Sequence, residues 1–334
     1  MPGPAGNGVP GATGNVYVMC EGNFGNGDAS LYAYAPVNDS VYGDLYATAN
    51  GHQVGDVLQS MQHIGDKLFL CVNNSDKILV LNAADRKQVG SISIPKPRYI
   101  LPVTASKAYV SALYSNKVYI INPQTLQVTD TIELPGRNPE GMCRYNNSVI
   151  VCAWDTAGNA VYKIDISTDR LIQAINVAGK APQEALLDKE QMLWVLAGEQ
   201  FSGKTATWTR LDPSTGAVLK SYTFPAEANT VRPVFNNTRD TLYFIEANQG
   251  GGTTNNGVYR MGIHQDSLPT QAFVAARLYQ YFWALGIDPL SGNIYVGDPK
   301  GFIQKGSVYI YKPDGTELRR FDVGLGPGHF YFDE

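Results

Sequence analysis

The side chains able to do acid, base or metal chemistry in this chain are few and poorly grouped. Its histidines are His52, His63, His264 and His329. A set of acids, Glu21, Glu140, Asp155 and Asp298, falls in segments of one kind, as set out below. Two such carboxylates held together would support hydrolysis or bind a cation. The spacings that mark such sites are absent. There is no His-x-Glu-x-x-His, no Cys-x-x-Cys, no phosphate-cradling glycine loop and no Gly-x-Ser-x-Gly. His52 and His329 lack evident co-ligands, so the reading is structural or surface histidines, no metal and no catalytic set. Binding chemistry is better represented. Phe24, Tyr114, Trp154, Phe201 and Phe302 sit in loop segments between strands, and Arg98–Tyr99, Arg232 and Tyr281–Trp283 sit in connections. Aromatic rings stack on flat ligands, and arginine forms bidentate bonds to amide or phosphate groups.

The elements that must position these residues are short strands. Lys107–Val110 alternates apolar residues with period two, a polar loop follows, and Lys117–Ile121 and a strand ending at Leu134 complete the unit, with Arg98–Val103 before it. The third residue of the first-named strand recurs as Tyr17, Phe69, Tyr109, Ile150, Trp194, Tyr243 and Tyr295, at intervals of 40 to 52 residues. The following strand recurs seven times too, from Ser30–Tyr34 to Ser307–Tyr311. A period of this size with four strands per unit predicts an all-β, seven-bladed β-propeller of four-stranded antiparallel blades. Helices are excluded, because turn residues cut the runs every 8–12 residues or so. The first unit lacks its inner strand and a surplus strand, His329–Asp333, ends the chain. The C-terminal strand is therefore expected to join the N-terminal blade and close the ring, which leaves no open edges there. The expected layout is a flexible tether or non-native remnant over 1–14 and one propeller domain over 15–334.

Propeller geometry sorts the loops. With strands A to D counted outward, the A–B turn (Asn146–Asn147) and the C–D turns (Asn122–Thr125, Asp212–Gly216, Lys312–Gly315) share one face and read as plain type I or hairpin turns. The B–C loops and D–A connections share the other. They carry the rings and arginines above, together with His52, Arg137–Glu140, Glu227 and His329, and blade closure would make His52 and His329 neighbours. Long loops on a rigid frame are where function concentrates. The expected ligand-binding residues are Phe24, Asn74, Arg98, Tyr99, Tyr114, Trp154, Phe201, Arg232, Tyr281 and Trp283. Arg98 has a second reading, as a brace between blades. The glycines Gly250–Gly252 read as a mobile loop.

Composition narrows the class. Apolar residues make up 44% of 334, enough for a full core, while no run is long enough to span a bilayer. A net charge of −4 without a basic cluster argues against nucleic acid. Only 17% charged residues beside 20 tyrosines suits an extracytoplasmic binding protein. Cys71 and Cys152 occupy equivalent positions of different blades and cannot pair. Cys143 and Cys152 lie diagonally across one hairpin, and the expectation is buried thiols. Met1–Gly14 has neither the basic nor the apolar region of a signal peptide, so an export signal is not visible.

The repeated strands followed by Asn116–Thr125 resemble the YncE-like, surface-layer-type (YVTN-repeat) seven-bladed propellers. More narrowly, Glu21–Phe24, Ala49–Gly51 with Gly55–Asp56, Val72–Ser75, Pro97–Ile100 and Thr238–Tyr243 resemble a surface-lipoprotein branch that includes the BtuG-type cobalamin-capture propellers. The resemblance runs from Asn15 to Asp333. It implies a non-enzymatic outer-membrane or periplasmic protein that captures cobalamin or a related corrinoid, as ligand rather than required cofactor, for vitamin B12 uptake. The implied partner is a TonB-dependent outer-membrane transporter, and the protein alone would be a monomer. The lipid-anchor cysteine of that branch is not in this chain. Three alternatives stay open: a glycan- or protein-binding propeller, a lactonase-type hydrolase using Glu140, Asp155 and a histidine, and a scaffolding surface protein.

Overall fold

A computed structural model describes residues 14–199, 201–247 and 256–333. Residues 1–13 of the expected 1–14 tether or remnant, and the glycine run Gly250–Gly252, lie outside the described residues. What is described forms seven four-stranded antiparallel sheets. The ring closes through its termini. Blade 1 takes its inner strand, Pro327–Phe332, from the C-terminus and its other three, Val16–Cys20, Ser30–Ala35 and Ser40–Tyr42, from the N-terminus. The seam between Pro327–Phe332 and Val16–Cys20 is antiparallel, extended by Gly14 N–H donating to Asp333 O at 2.6 Å and Asp333 N–H donating to Asn15 O at 3.0 Å.

Blade-to-blade packing follows from the period-two pattern. Successive residues of a strand point to opposite faces of the sheet. Val16, Val18 and Cys20 therefore pack against blade 7, while Tyr17 and Met19 pack against blade 2. The same split recurs at Leu68/Phe69, Val149/Ile150 and Leu193/Trp194. The recurring third residue is in every blade the one that faces the next blade. The buried apolar residues accordingly divide into seven clusters, one at each interface. Where tyrosine stands at that position, a polar side chain from the neighbouring turns can pair its hydroxyl, as at Tyr17 and Tyr109. Tyr17 Oη accepts from Arg86 Nη2 at 3.1 Å, and Tyr109 Oη donates to Asp169.

Two departures from the strand pattern matter. The connection from blade 1 to blade 2 holds a short helix, Leu45–Asn50, which the strand period did not anticipate. Its start is capped by Asp44, which accepts from Ala47 N–H at 3.1 Å, and its end by Gly51 at φ 76°. The outer strand of blade 6 shrinks to Val274–Ala275. The four cysteines are free thiols, three of them buried.

The inner strands carry the feature that builds the site. In blades 1 to 6 the pairing of strand A with strand B slips near the start of A, for example between Pro97 and Ile100, Pro139 and Met142, and Val231 and Val234. A β-bulge turns the local side chains off the regular alternation. Here it turns them toward the axis.

Deleting residues 325–334 removes the closing strand and leaves both Val16–Cys20 and the blade 7 interface uncovered. The expected outcome is loss of a cooperative melting transition by circular dichroism and loss of the monomer peak in gel filtration. An unchanged melting temperature would show that the seam is dispensable.

Candidate functional site

The bulged positions form two stacked rings around the axis. Register equates Gln59, Arg98, Glu140, Gln183, Val231 and Trp283, and one residue further along, Ser60, Tyr99, Gly141, Glu184, Arg232, Ala284 and His329. Large side chains in the second ring come from blades 1, 3, 5 and 6, and small ones from blades 2, 4 and 7. That spacing lets Tyr99, Glu184, Arg232 and His329 reach the axis. Gly141 is needed for this: a Cβ there would strike the Glu184 carboxyl and come within 2.7 Å of Gln183 O.

These residues plug the channel. Arg98 Nε donates to both oxygens of Glu140, at 3.0 and 2.9 Å, and its Nη1 donates to Gln59 Oε1. Arg232 Nε donates to Trp283 O at 3.1 Å, and its Nη1 to Tyr99 Oη across the axis at 3.3 Å. Its Nη2 is 3.4 Å from Glu21 Oε1, which also accepts from Trp283 Nε1 at 2.9 Å. The Arg232 guanidinium lies 5.0 Å from the Trp283 ring centroid, and Tyr281 stacks on Trp283 at 6.0 Å. Arg232 sits at φ 55° immediately before Pro233. A left-handed non-glycine residue costs about 1–2 kcal/mol, held here by the network it serves.

A cavity opens on each side of the plug. The outer one, about 850 Å³ with its mouth, is lined by Arg98, Tyr99, Glu184, Arg232 and Trp283 below and by Trp154 and Phe201 above. The inner one, about 840 Å³, has Tyr99, Glu184, Arg232 and His329 as its polar end and Leu101, Met142 and Leu285 among its apolar wall. Burial and the like charge of Glu140 push the Glu184 carboxyl up to about 7, although Arg232 and Arg98 pull the other way. Burial, with Arg232 and Arg98 nearby, holds His329 down to about 3, so its imidazole is neutral at any ordinary pH.

Six of the ten expected site residues line the outer cavity: Arg98, Tyr99, Trp154, Phe201, Arg232 and Trp283. Phe24 and Tyr114 stand out on the loops, 74% and 75% exposed, beside Phe201 at 79%. Asn74 lies outside the cavity, its amide bonded to Asp56 and to Lys96 Nζ. Tyr281 is not among the lining residues and stacks on Trp283, which is. Phe302 packs edge-on against Trp283 at 5.8 Å rather than projecting. Arg98 ties blade 3 to blades 2 and 4, as the brace reading expects, and it also lines the outer cavity.

Two expectations need correction. His329 is in the inner strand of blade 1, with its ring 6.1 Å from Tyr99, and not in a connection. His52 instead packs edge-on to Tyr46 of the unforeseen helix, 5.3 Å away. Of the acids, Glu140 is neutralised by Arg98, and Asp155 caps its own loop by accepting from Ala157 N–H at 3.0 Å. Asp298 does the same for Lys300 N–H at 2.9 Å. Glu184, Gln59 and Gln183 were missed. The Pro97, Pro139 and Pro182 that precede the bulges were the available signal, because they align the ring positions.

A family model described as Domain of unknown function (DUF5074) matches residues 14–333. No curated protein matches the chain. Among solved structures, a quinoprotein alcohol dehydrogenase-like protein from Bacteroides thetaiotaomicron is similar at 16% identity and a TM-score of 0.69, covering 97% of this chain and 79% of that one. The hydrazine synthase of Kuenenia stuttgartiensis has 15% identity and a TM-score of 0.64, covering 79% and 86%. A streptogramin B lyase has 14% identity and a TM-score of 0.60, covering 80% and 82%. At such identities the likeness is one of fold.

Two expectations follow from the plug. Arg98→Met leaves Glu140 buried without its partner and should cost about 3–5 kcal/mol in urea unfolding, much of it regained in Arg98→Met/Glu140→Leu. Equal loss in single and double variants would show that the pair is not the unit. Glu184 binds its proton more tightly folded than unfolded, so its burial is tolerated at low pH and costs stability as pH rises from about 4.5 to about 7. Glu184→Gln should therefore match the parent near pH 4 and exceed it above neutrality by up to about 3 kcal/mol. A difference that does not grow with pH would contradict this.

Proposed function

We propose that this chain, which belongs to the DUF5074 family, is a non-enzymatic ligand-capture propeller whose ligand is cobalamin or a related corrinoid. The observation that carries the reading is the outer cavity. It is an open bowl with exposed rings on its rim loops, Trp154 and Phe201 on its wall, and a floor of fixed hydrogen-bonding side chains. A corrinoid is wide, flat and fringed with amides, so it presents stacking area to the rim and many polar groups to the floor. A rigid seven-blade frame holds the floor in place before binding, which limits the ordering cost and favours slow release.

The chemistry of the floor supports holding over turnover. Glu140 has both oxygens on Arg98 and lines the outer cavity, while His329 lines the inner one, so neither cavity brings this acid and histidine together. The resemblance of Glu21–Phe24, Val72–Ser75 and Pro97–Ile100 to the cobalamin-capture branch supports the same ligand. It also supports an outer-membrane surface location and a TonB-dependent transporter as the receiving partner.

Titration calorimetry with cyanocobalamin tests the reading. Heat with a micromolar or tighter dissociation constant is expected. Phe201→Ala and Trp283→Ala should each weaken binding by about tenfold, the worth of one stacked ring. Absence of heat, with binding to a glycan panel or turnover of a lactone panel instead, would replace it with a rival.

A further inference from the structure

Most polar groups around the outer cavity are paired; Trp154 Nε1 and Thr230 Oγ1 on its lining are buried without a partner, and among the described lining acids Glu184 is the one left unpaired. Both guanidinium groups are committed: Arg98 to Glu140 and Gln59, Arg232 to Trp283 O, Tyr99 and Glu21. Glu140 and Glu21 are consumed by the same bonds. Among the described residues no hydrogen bond or ion pair is formed by the Glu184 carboxyl, which lines both the outer and the inner cavity. Its remaining surface therefore opens onto the places a ligand would occupy.

The groups that face Glu184 set its charge. Blade 4 presents Glu140, with Cys143 and Cys152 behind it, blade 3 presents Arg98 and Tyr99, and blade 6 presents Arg232. His329 of blade 1 shares the inner cavity and is neutral. The two arginines are already matched by Glu140 and Glu21, so an ionised Glu184 would be one negative charge in excess. A neutral carboxyl has no such cost and offers both a donor and an acceptor. Gly141 leaves its oxygens room, since any side chain there would collide with the carboxyl. A carboxylate seated at Glu184 would meet Glu140 and two arginines already matched, although Lys204 also lines the outer cavity, and a bare hydrocarbon would leave the Glu184 hydroxyl unpaired at a cost of about 1–3 kcal/mol. A group with one acceptor and one donor side by side fits.

We propose that Glu184 recognises a primary carboxamide of the ligand, its protonated carboxyl donating O–H to the amide carbonyl while its carbonyl oxygen accepts the amide N–H. The assignment rests on the capture reading and specifies which kind of group reaches the floor. Closing the bowl over Glu184 removes the remaining water, which disfavours the carboxylate further. Binding from above neutrality thus takes up one proton from solvent, and affinity falls as pH rises past the value at which the free carboxyl ionises.

The experiment is calorimetry with cyanocobalamin on the parent, Glu184→Gln and Glu184→Leu from pH 5.5 to 8.5, in buffers of different ionisation enthalpy, with far-UV spectra confirming each variant folded. The parent should lose about tenfold in affinity between pH 6 and 8.5, with proton uptake approaching one. Glu184→Gln, which keeps a donor and an acceptor and cannot ionise, should hold the low-pH affinity flat across the range. Glu184→Leu should be weaker at every pH. Binding that is independent of pH in the parent, or a slope retained in Glu184→Gln, overturns the role of Glu184 and leaves capture standing. No binding by any of the three overturns the capture reading and this assignment with it.

Discussion

A sheet with two apolar faces must be covered on both, and in this chain the cover for each blade is the next blade. Everything else depends on that requirement. Tyr17 and Met19 facing one way and Val16, Val18 and Cys20 the other leave blade 1 unable to stand alone. The only arrangement that covers every face with copies of the same unit is a closed ring. Closure then demands that the first blade borrow its inner strand from the far end of the chain, which is what the pairing of Pro327–Phe332 with Val16–Cys20 supplies.

Closure also fixes where chemistry can reside. Seven inner strands meet around an axis, so any side chain pointing inward near the start of strand A meets its counterparts from the other blades. The bulges convert residues that would pack against a neighbouring blade into residues that face the axis. Filling the axis with seven large side chains would overpack it. Ser60, Gly141 and Ala284 relieve the crowding, and Tyr99, Glu184, Arg232 and His329 use the space. The plug is thus a packing solution with polar members, and its charges must be paired because they are dry.

How legible this was depends on which physical signal each residue carried. The ring was readable because burial on both faces forces period-two alternation, and alternation survives sequence drift better than any single residue. Trp154, Phe201 and Arg98 were placed on the working face because loop length and topology alone decide that. Glu184 was not, because it sits at a bulge, where register breaks, and a glutamate beginning a strand looks like ordinary solvated surface. Asn74, a polar residue in a loop on the same face, lies outside the cavity, its amide bonded to Asp56 and Lys96. The helix Leu45–Asn50 hid because six residues capped by Asp44 and Gly51 are too few to show a 3.6-residue period.

The contrast between Glu140 and Glu184 shows how one scaffold gives two acids different work. They come from adjacent blades and differ by one position in the ring. Glu140 meets Arg98 side-on, Nε donating to Oε2 and Nη2 to Oε1, so its charge is cancelled locally and it acts as a brace. Glu184, one step deeper, meets the flank of that closed pair and finds a like charge and no spare donor. The same two guanidinium groups lower its proton affinity less than burial and Glu140 raise it. A bulge of one residue is enough to separate a structural carboxylate from one left open to the cavity.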